Sequence, residues 1–119
     1  MNDLVKRLSE KVHAVQANRP DTSAKSLKER IDLNYVHILF QETGTEIGMQ
    51  LDTEKCELAS ADFTNGTGKI HLEGALTLNY DKVRCVADIN LDTMHGTGYL
   101  KLIESDSEYS KIIRSEAAV

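Results

Sequence analysis

Four histidines are the residues of this chain best suited to acid–base chemistry or metal binding near neutral pH: His13, His37, His71 and His95. No two of them have the H-x-H or i, i+4 spacing that lets neighbouring imidazoles share a metal ion. His13, and His71 beside Glu73, fall on the polar sides of their segments, so we expect both in solvent. His37 lies in the most apolar segment, which favours a neutral, hydrogen-bonded core histidine. The sequence therefore predicts no catalytic residue, no metal site and no cofactor.

The groups that could act as nucleophiles also lack a recognisable signature. Cys56 and Cys85 are far apart in the sequence, and there is no Gly-x-Ser-x-Gly motif. We expect both thiols to be reduced and buried, as small apolar side chains are. An enzyme is thus the least favoured interpretation, and its site would have to assemble from distant residues such as His37 and an acid.

Two similar glycine-containing segments, Asn65–Ile70 and His95–Leu100, could be mistaken for phosphate-binding loops. Neither has the Lys-Ser/Thr pair of a P-loop, and neither connects a strand to a helix. The pattern predicts turns that open strands.

The composition restricts the class of protein. A net charge of -5 and a pI near 5.3 argue against a nucleic-acid binder, because phosphate contacts need clustered Lys and Arg. No apolar stretch approaches the roughly 20 residues of a membrane helix, and the charged N-terminus lacks the apolar core of a secretory signal. We expect a single domain spanning residues 1–119, located in the cytoplasm.

An alternation of apolar and polar residues runs from Lys69 to Asp92. A period of two is typical of a strand with one buried face. The segment up to Asn79 is predicted to be a strand. From Tyr80 to Leu91 the alternation favours a second strand, although a helix with Asn79 as its cap is the alternative.

The remaining segments complete an α+β fold. Apolar spacing predicts an N-terminal helix over 3–17 and a C-terminal helix over 106–116. Strands are predicted over 31–41, with both faces covered, over 47–51 and over 99–104, with a weaker one from Cys56 to Phe63. The expected fold is a largely antiparallel sheet of five or six strands, with the N-terminal and C-terminal helices packed on its apolar face.

The apolar interior has two interpretations. Its residues could fill a core, or they could line a pocket between sheet and helices that binds an apolar ligand such as a lipid or acyl chain. The residues assigned to that pocket are Phe40, Met49, Phe63, Leu76, Leu78, Met94, Ile112 and Ile113.

Several short motifs resemble the sterol carrier protein family. Leu33-Asn34-Tyr35-Val36 followed by Glu42-Thr43-Gly44-Thr45-Glu46 resembles the first hairpin of the version fused to alkyl sulfatases. Ala75-Leu76-Thr77-Leu78 resembles the fourth strand, and Gly98-Tyr99-Leu100-Lys101-Leu102 with Ser105-Asp106-Ser107 resembles the closing strand and helix. The resemblance implies a non-enzymatic domain with a tunnel for acyl chains or sterols.

Two functions follow from these observations. The first is a non-enzymatic domain that binds an apolar small molecule between sheet and helices. The alternative is a protein–protein interaction module with a filled core, as a homodimer or with another protein. Neither nucleic acid nor a membrane span is expected.

Overall fold

Six antiparallel strands close into a barrel in the computed structural model, which describes residues 3–18, 21 and 23–117. Each strand pairs with its neighbours in chain order, and β1 pairs with β6 to complete the ring. The elements are α1 Asp3–Glu10, β1 His13–Ala17, α2 Ala24–Asp32, β2 Tyr35–Phe40, β3 Thr45–Leu51, β4 Lys69–Leu78, β5 Asp81–Asn90, β6 His95–Leu102 and α3 Asp106–Ala117. No helix among the described residues is both long enough and apolar enough to cross a membrane.

The predicted α+β sheet covered by terminal helices is wrong. The apolar faces of the strands point into the barrel and cover one another. The buried side chains of α1 and α2 pack into this same core, whereas α3 covers a separate cluster. The predicted helix over 3–17 ends at Glu10, and its second half is the strand β1. His13, Val15 and Ala17 alternate inward in β1, and that strand fills the position between β2 and β6.

The prediction of a strand after Tyr80 is confirmed. β4 and β5 form a continuous antiparallel ladder from Lys69↔Asn90 to Leu78↔Asp81. Cys85, Ala87 and Ile89 point into the core, as a period of two requires. The helical alternative for this segment is therefore excluded.

Two other strand predictions are wrong. The segment from Ile31 begins as the last turn of α2, and only Tyr35–Phe40 is a strand. That strand buries one face, since Tyr35 and His37 point outward and are partly exposed. The segment from Cys56 to Phe63 takes part only in two isolated bridges among the described residues, Glu57↔His71 and Asp62↔Thr67, within the long connection between β3 and β4.

The glycine segments behave differently from each other. Gly66 and Gly68 have φ values of 67° and 94° in a turn, as predicted. Gly96 and Gly98 instead lie inside β6, facing Ile89 and Ala87 of β5. A Cβ atom at Gly96 would overlap the carbonyl oxygen of Asp88, so this glycine permits close approach of two strands.

α3 packs on the outer surface of β4 and on the end of β3. Its Ile112 and the preceding Ile103 cover Ala75 of β4 in a small cluster separate from the barrel core. Ser105 caps the start of α3, because the Glu108 N–H donates to Ser105 Oγ at 3.3 Å.

Candidate functional site

The eight residues predicted to line a ligand pocket do not form one group in the structure. Phe40, Met49, Leu76 and Met94 are buried in the barrel core, with Leu78 and Phe63 packed against it. Ile112 and Ile113 belong to the separate cluster beneath α3, on the outside of the barrel. The barrel wall lies between the two clusters, so the set does not line a common pocket.

Arg84 is the centre of the main charged cluster. Its Nη1 donates to Asp52 Oδ2 at 3.0 Å and to Glu73 Oε1 at 3.2 Å, and its Nη2 donates to Glu108 Oε1 at 3.2 Å. These carboxylates come from the β3–β4 connection, β4 and α3, and Arg84 itself is on the outer face of β5. The cluster therefore holds α3 and the connection against the barrel.

His71 is paired with two carboxylates. Its Nε2 lies 2.7 Å from Glu73 Oε2, and its Nδ1 lies 2.7 Å from Asp88 Oδ1. The hydrogen bond to Glu73, together with that to Asp88, raises the pKa of His71 above its ordinary value despite some desolvation. A protonated imidazole that donates from both nitrogens has no lone pair for a metal ion or a substrate proton.

This ion pair leads to a pH-dependent expectation. Because the folded-state pKa of His71 is raised, its contribution to stability is complete below about pH 6.5 and is lost as pH rises through the folded-state value. We expect His71→Gln to lower the free energy of unfolding by up to about 1 kcal/mol at low pH and by less at alkaline pH. Urea unfolding at several pH values measures the difference.

The control for this prediction is His95→Gln, which removes an exposed imidazole that forms no ion pair within the described residues. It should change stability little at any pH. A His71→Gln effect that grows with pH would contradict the assigned ion pairs.

The other candidate chemical groups are structural. Burial raises the pKa of the Cys85 thiol to about 12, and burial also raises the pKa of Cys56, so both thiols are protonated at neutral pH. His13 is buried, contrary to the expectation of a solvent-exposed side chain. Its Nδ1 lies 3.2 Å from Glu42 Oε2 and its Nε2 lies 3.0 Å from the Arg7 carbonyl, so it joins α1 to the β2–β3 turn. No group of three His, Cys, Asp or Glu side chains in the described part of the chain could hold a metal ion.

Among the described residues, the shortest ladder of the barrel joins β3 to β4, and we call this joint the seam. Their ladder pairs only Gln50↔Ala75 and Leu51↔Gly74, whereas the β4–β5 ladder runs the full length of both strands. Extending the register would pair Met49 with Leu76, but the ladder contains no such pair. Among the described residues, the first five positions of β3 have a ladder partner on the β2 side only.

The seam opens toward the end of the barrel that carries the β2–β3 and β4–β5 turns, because β3 begins there and β4 ends there. The β4–β5 turn consists of Asn79 and Tyr80, both with positive φ, at 47° and 73°. Tyr80 is 99% exposed, and Val12, before β1 at the same end, is 56% exposed. Tyr80 is thus a bulky residue in the left-handed region that does not pack against the rest of the chain, which makes it a candidate contact for another molecule.

The outer face beside the seam is partly aromatic. The Tyr35 ring lies over Gly48, where a Cβ atom would overlap the Tyr35 hydroxyl and ring. Tyr35 also contacts His37 edge to face, with ring centroids 5.3 Å apart. Next to them, Gln50 Oε1 is buried without a hydrogen-bond partner among the described residues. His37 is thus a surface residue, and the prediction that it lies in the core is wrong.

The sequence analysis missed this surface. Asn79-Tyr80 between two alternating segments is a recognisable two-residue hairpin, and Tyr in that turn is a local signal for an unusual site. The seam has no local signal, because it depends on the register between strands that the β3–β4 connection separates.

Comparison with known families completes the description of the site. The model of a family described as core binding factor beta subunit matches residues 2–118. No curated protein matches the chain significantly. The resemblance to sterol carrier proteins is wrong, because its short motifs lie in a barrel of a different family. The lipid-binding function that the resemblance implied is not supported, whereas the alternative of a protein-interaction module is supported.

Proposed function

This chain belongs to the core binding factor beta subunit family, and we propose on that premise that it is the non-enzymatic subunit of a heterodimer. Its partner would bind at the end of the barrel where the β3–β4 seam opens. A protein-interaction domain of this family needs a surface complementary to another chain, and no catalytic residue is required for that role.

The interrupted β3–β4 ladder carries this proposal. A closed barrel has no free edges, so the unpaired part of β3 is an exception to its own architecture. The exposed Tyr80 at the mouth of the seam adds the kind of side chain that often dominates binding energy. Together they place backbone hydrogen-bonding groups and an aromatic anchor at the same end.

The partner that we propose is a transcription-factor subunit of the RUNX type. The net charge of -5 is unsuited to contacts with phosphates, so the partner would supply any contacts with DNA. A heterodimer replaces the homodimer that the sequence suggested, because the family is named as one subunit of a factor.

Tyr80→Gly tests the location of the interface. Glycine adopts a φ of 73° without strain, so the variant should fold at least as stably as the wild type. Its affinity for the purified RUNX-type subunit, measured by isothermal titration calorimetry, should fall about tenfold, because an exposed tyrosine anchor is removed.

Leu33→Ser is the matched control for this experiment. Leu33 is 64% exposed and lies before β2, at the opposite end of the barrel. We expect its affinity to equal that of the wild type. Equal losses in both variants, or no loss in Tyr80→Gly, would show that the partner binds elsewhere, and complete absence of binding by the wild type would refute the heterodimer.

A further inference from the structure

We infer that Asn65 is a modification site at which the chain deamidates spontaneously, and that the Asp62 carboxylate restrains the reaction in the folded protein. The product replaces a neutral amide by a carboxylate beside Asp62 and weakens the turn over 62–67. This inference goes beyond the proposed heterodimer and does not depend on it. The turn precedes β4, so it lies at the opposite end of that strand from the mouth of the seam.

Asn65 differs from the other asparagines of the chain in the residue that follows it. Gly66 follows Asn65, whereas each of the others is followed by Asp, Arg, Tyr or Leu. Glycine has no Cβ atom to shield its backbone nitrogen, so this nitrogen can approach the side-chain amide of the preceding residue. The sequence therefore distinguishes one asparagine as a target for attack by the backbone.

The fold leaves both reacting groups accessible. Asn65 is exposed, and Gly66 has a φ of 67°, which glycine adopts without strain. The Gly66 N–H forms no hydrogen bond to another described residue. Its proton can therefore pass to solvent, and no protein hydrogen bond of this N–H has to break before the nitrogen attacks.

The reaction needs only water. Asparagine is one of the thermally labile residues of proteins. After the Gly66 N–H loses its proton to water or hydroxide, the nitrogen attacks Asn65 Cγ and a new N–Cγ bond forms. The Cγ–Nδ2 bond then breaks, and Nδ2 leaves as ammonia. Water opens the resulting cyclic imide at either carbonyl, which gives aspartate or isoaspartate at position 65.

The Asp62 carboxylate holds the Asn65 side chain away from this reaction. Asn65 Nδ2 donates to Asp62 Oδ2 at 2.7 Å, and the Asn65 N–H donates to Asp62 Oδ1 at 3.1 Å. The hydrogen bond from the Asn65 N–H lowers the pKa of Asp62 below its ordinary value, so the carboxylate is ionised at neutral pH. The bond to Nδ2 must break before Cγ can approach the Gly66 nitrogen, so Asp62 slows the conversion.

Conversion of Asn65 would weaken the turn in two ways. It removes the Nδ2 donor and puts a second negative charge beside the Asp62 carboxylate. Isoaspartate also adds a methylene group to the backbone of a turn whose ends, Asp62 and Thr67, are joined by hydrogen bonds of 2.8 and 3.0 Å. Gly66 lies against the start of α2, where an added Cβ atom would be 3.8 Å from the Ala24 Cβ. The modified turn would therefore pack less closely on α2.

Peptide mapping of the full chain tests the site. Trypsin releases residues 56–69 as one peptide, in which Asn65 is the only amide side chain. After several weeks of incubation of the folded wild type at neutral pH and physiological temperature, this peptide should show the mass increase of amide-to-acid conversion. It should also separate into aspartate and isoaspartate forms on chromatography. The peptides that contain Asn34, Asn79 and Asn90 are internal controls and should keep their amides.

Asp62→Ala tests the restraint. Without the carboxylate, the folded chain should convert about fivefold faster than the wild type, because an exposed hydrogen bond no longer holds the amide. The synthetic peptide of residues 56–69 should convert faster still. Asp92→Ala is the matched control, since it removes an exposed carboxylate from the β5–β6 turn and should convert at the wild-type rate. Thermal unfolding shows that each variant is folded.

Asn65→Asp reproduces one product of the reaction. We expect it to lower the midpoint of thermal unfolding by about 2 °C, because two carboxylates then face each other across the turn. Asn65→Ala, which loses the hydrogen bond without gaining a charge, should lower it less. Equal midpoints for Asn65→Asp and the wild type would contradict the weakened turn.

Each outcome of peptide mapping decides one part of the inference. Selective conversion of Asn65 that is faster in Asp62→Ala supports it. If the folded wild type does not convert while the free peptide does, the modification site is overturned. Equal rates in the wild type and Asp62→Ala overturn the restraint. If the chain does not bind the RUNX-type subunit, the heterodimer falls and this inference stands.

Discussion

Gly96→Ala is expected to destabilise the barrel by about 3 kcal/mol, which is a large part of the stability of a typical small domain. Gly96 of β6 lies between two strands, paired with Ile89 of β5 and with Val15 of β1. An added Cβ would overlap the Asp88 carbonyl oxygen and come within 3.0 Å of the Ile89 Cα. Both are backbone atoms, so no rotamer change can relieve the overlap, and two strands must separate.

Gly48→Ala is the matched control, because it makes the same chemical change in another strand. Its new Cβ would meet the Tyr35 side chain, which is partly exposed and can rotate away. We expect a cost of about 1 kcal/mol or less. Urea unfolding followed by circular dichroism measures both values, and equal losses would show that the β5–β6 contact is not as close as described.

The glycines within β6 also explain part of the difference between the predicted and the observed structure. Gly96 and Gly98 in a polar context are typical of a turn, and only the pairing with Ile89 and Ala87 shows that they are strand residues. The close approach of the β5 and β6 backbones depends on the tertiary structure, and the local sequence does not indicate it. The equivalent local pattern at Gly66 and Gly68 is a true turn.

The strands that the sequence predicts correctly are those with a long alternation of apolar and polar residues. Ten residues in each of β4 and β5 alternate, so a helical period fits them poorly. β1 has only five residues, and Val12 and Val15 fit a helical period as well as a strand. Without β1 the sheet cannot close, so the error at one short strand changed the predicted fold from a barrel to an open sheet.

The candidate interface was less predictable than the strands. The acidic composition argued against a nucleic-acid binder, and protein interaction, which the family match supports, was one of the two functions that the sequence left open. The seam is defined by a ladder of only two pairs between β3 and β4. The length of that ladder depends on how six strands close, and a sequence pattern within one strand cannot indicate it.

Arg84→Met is expected to lower the free energy of unfolding by about 3 kcal/mol, because it leaves three carboxylates without their shared cation. Only 11% of the Arg84 side chain is exposed, and Asp52 and Glu73 are nearly as buried. Methionine preserves much of the side-chain volume, so the loss would come from charge and not from a cavity. The amides of α3 should also exchange faster, since Glu108 loses its contact with the barrel.

Lys82→Met is the control, because Lys82 forms an ion pair with Asp106 at 3.0 Å in which both side chains are largely exposed. We expect a loss of about 0.5 kcal/mol. If uncompensated charge is the cause at Arg84, adding Asp52→Asn to Arg84→Met should restore part of the stability, although Asp52→Asn alone removes a favourable partner. Urea unfolding of the two single variants and the double variant gives the coupling between the sites. A double variant whose loss equals the sum of the two single losses would show that Arg84 and Asp52 do not interact, and it would contradict an uncompensated Asp52 charge as a cause of the loss.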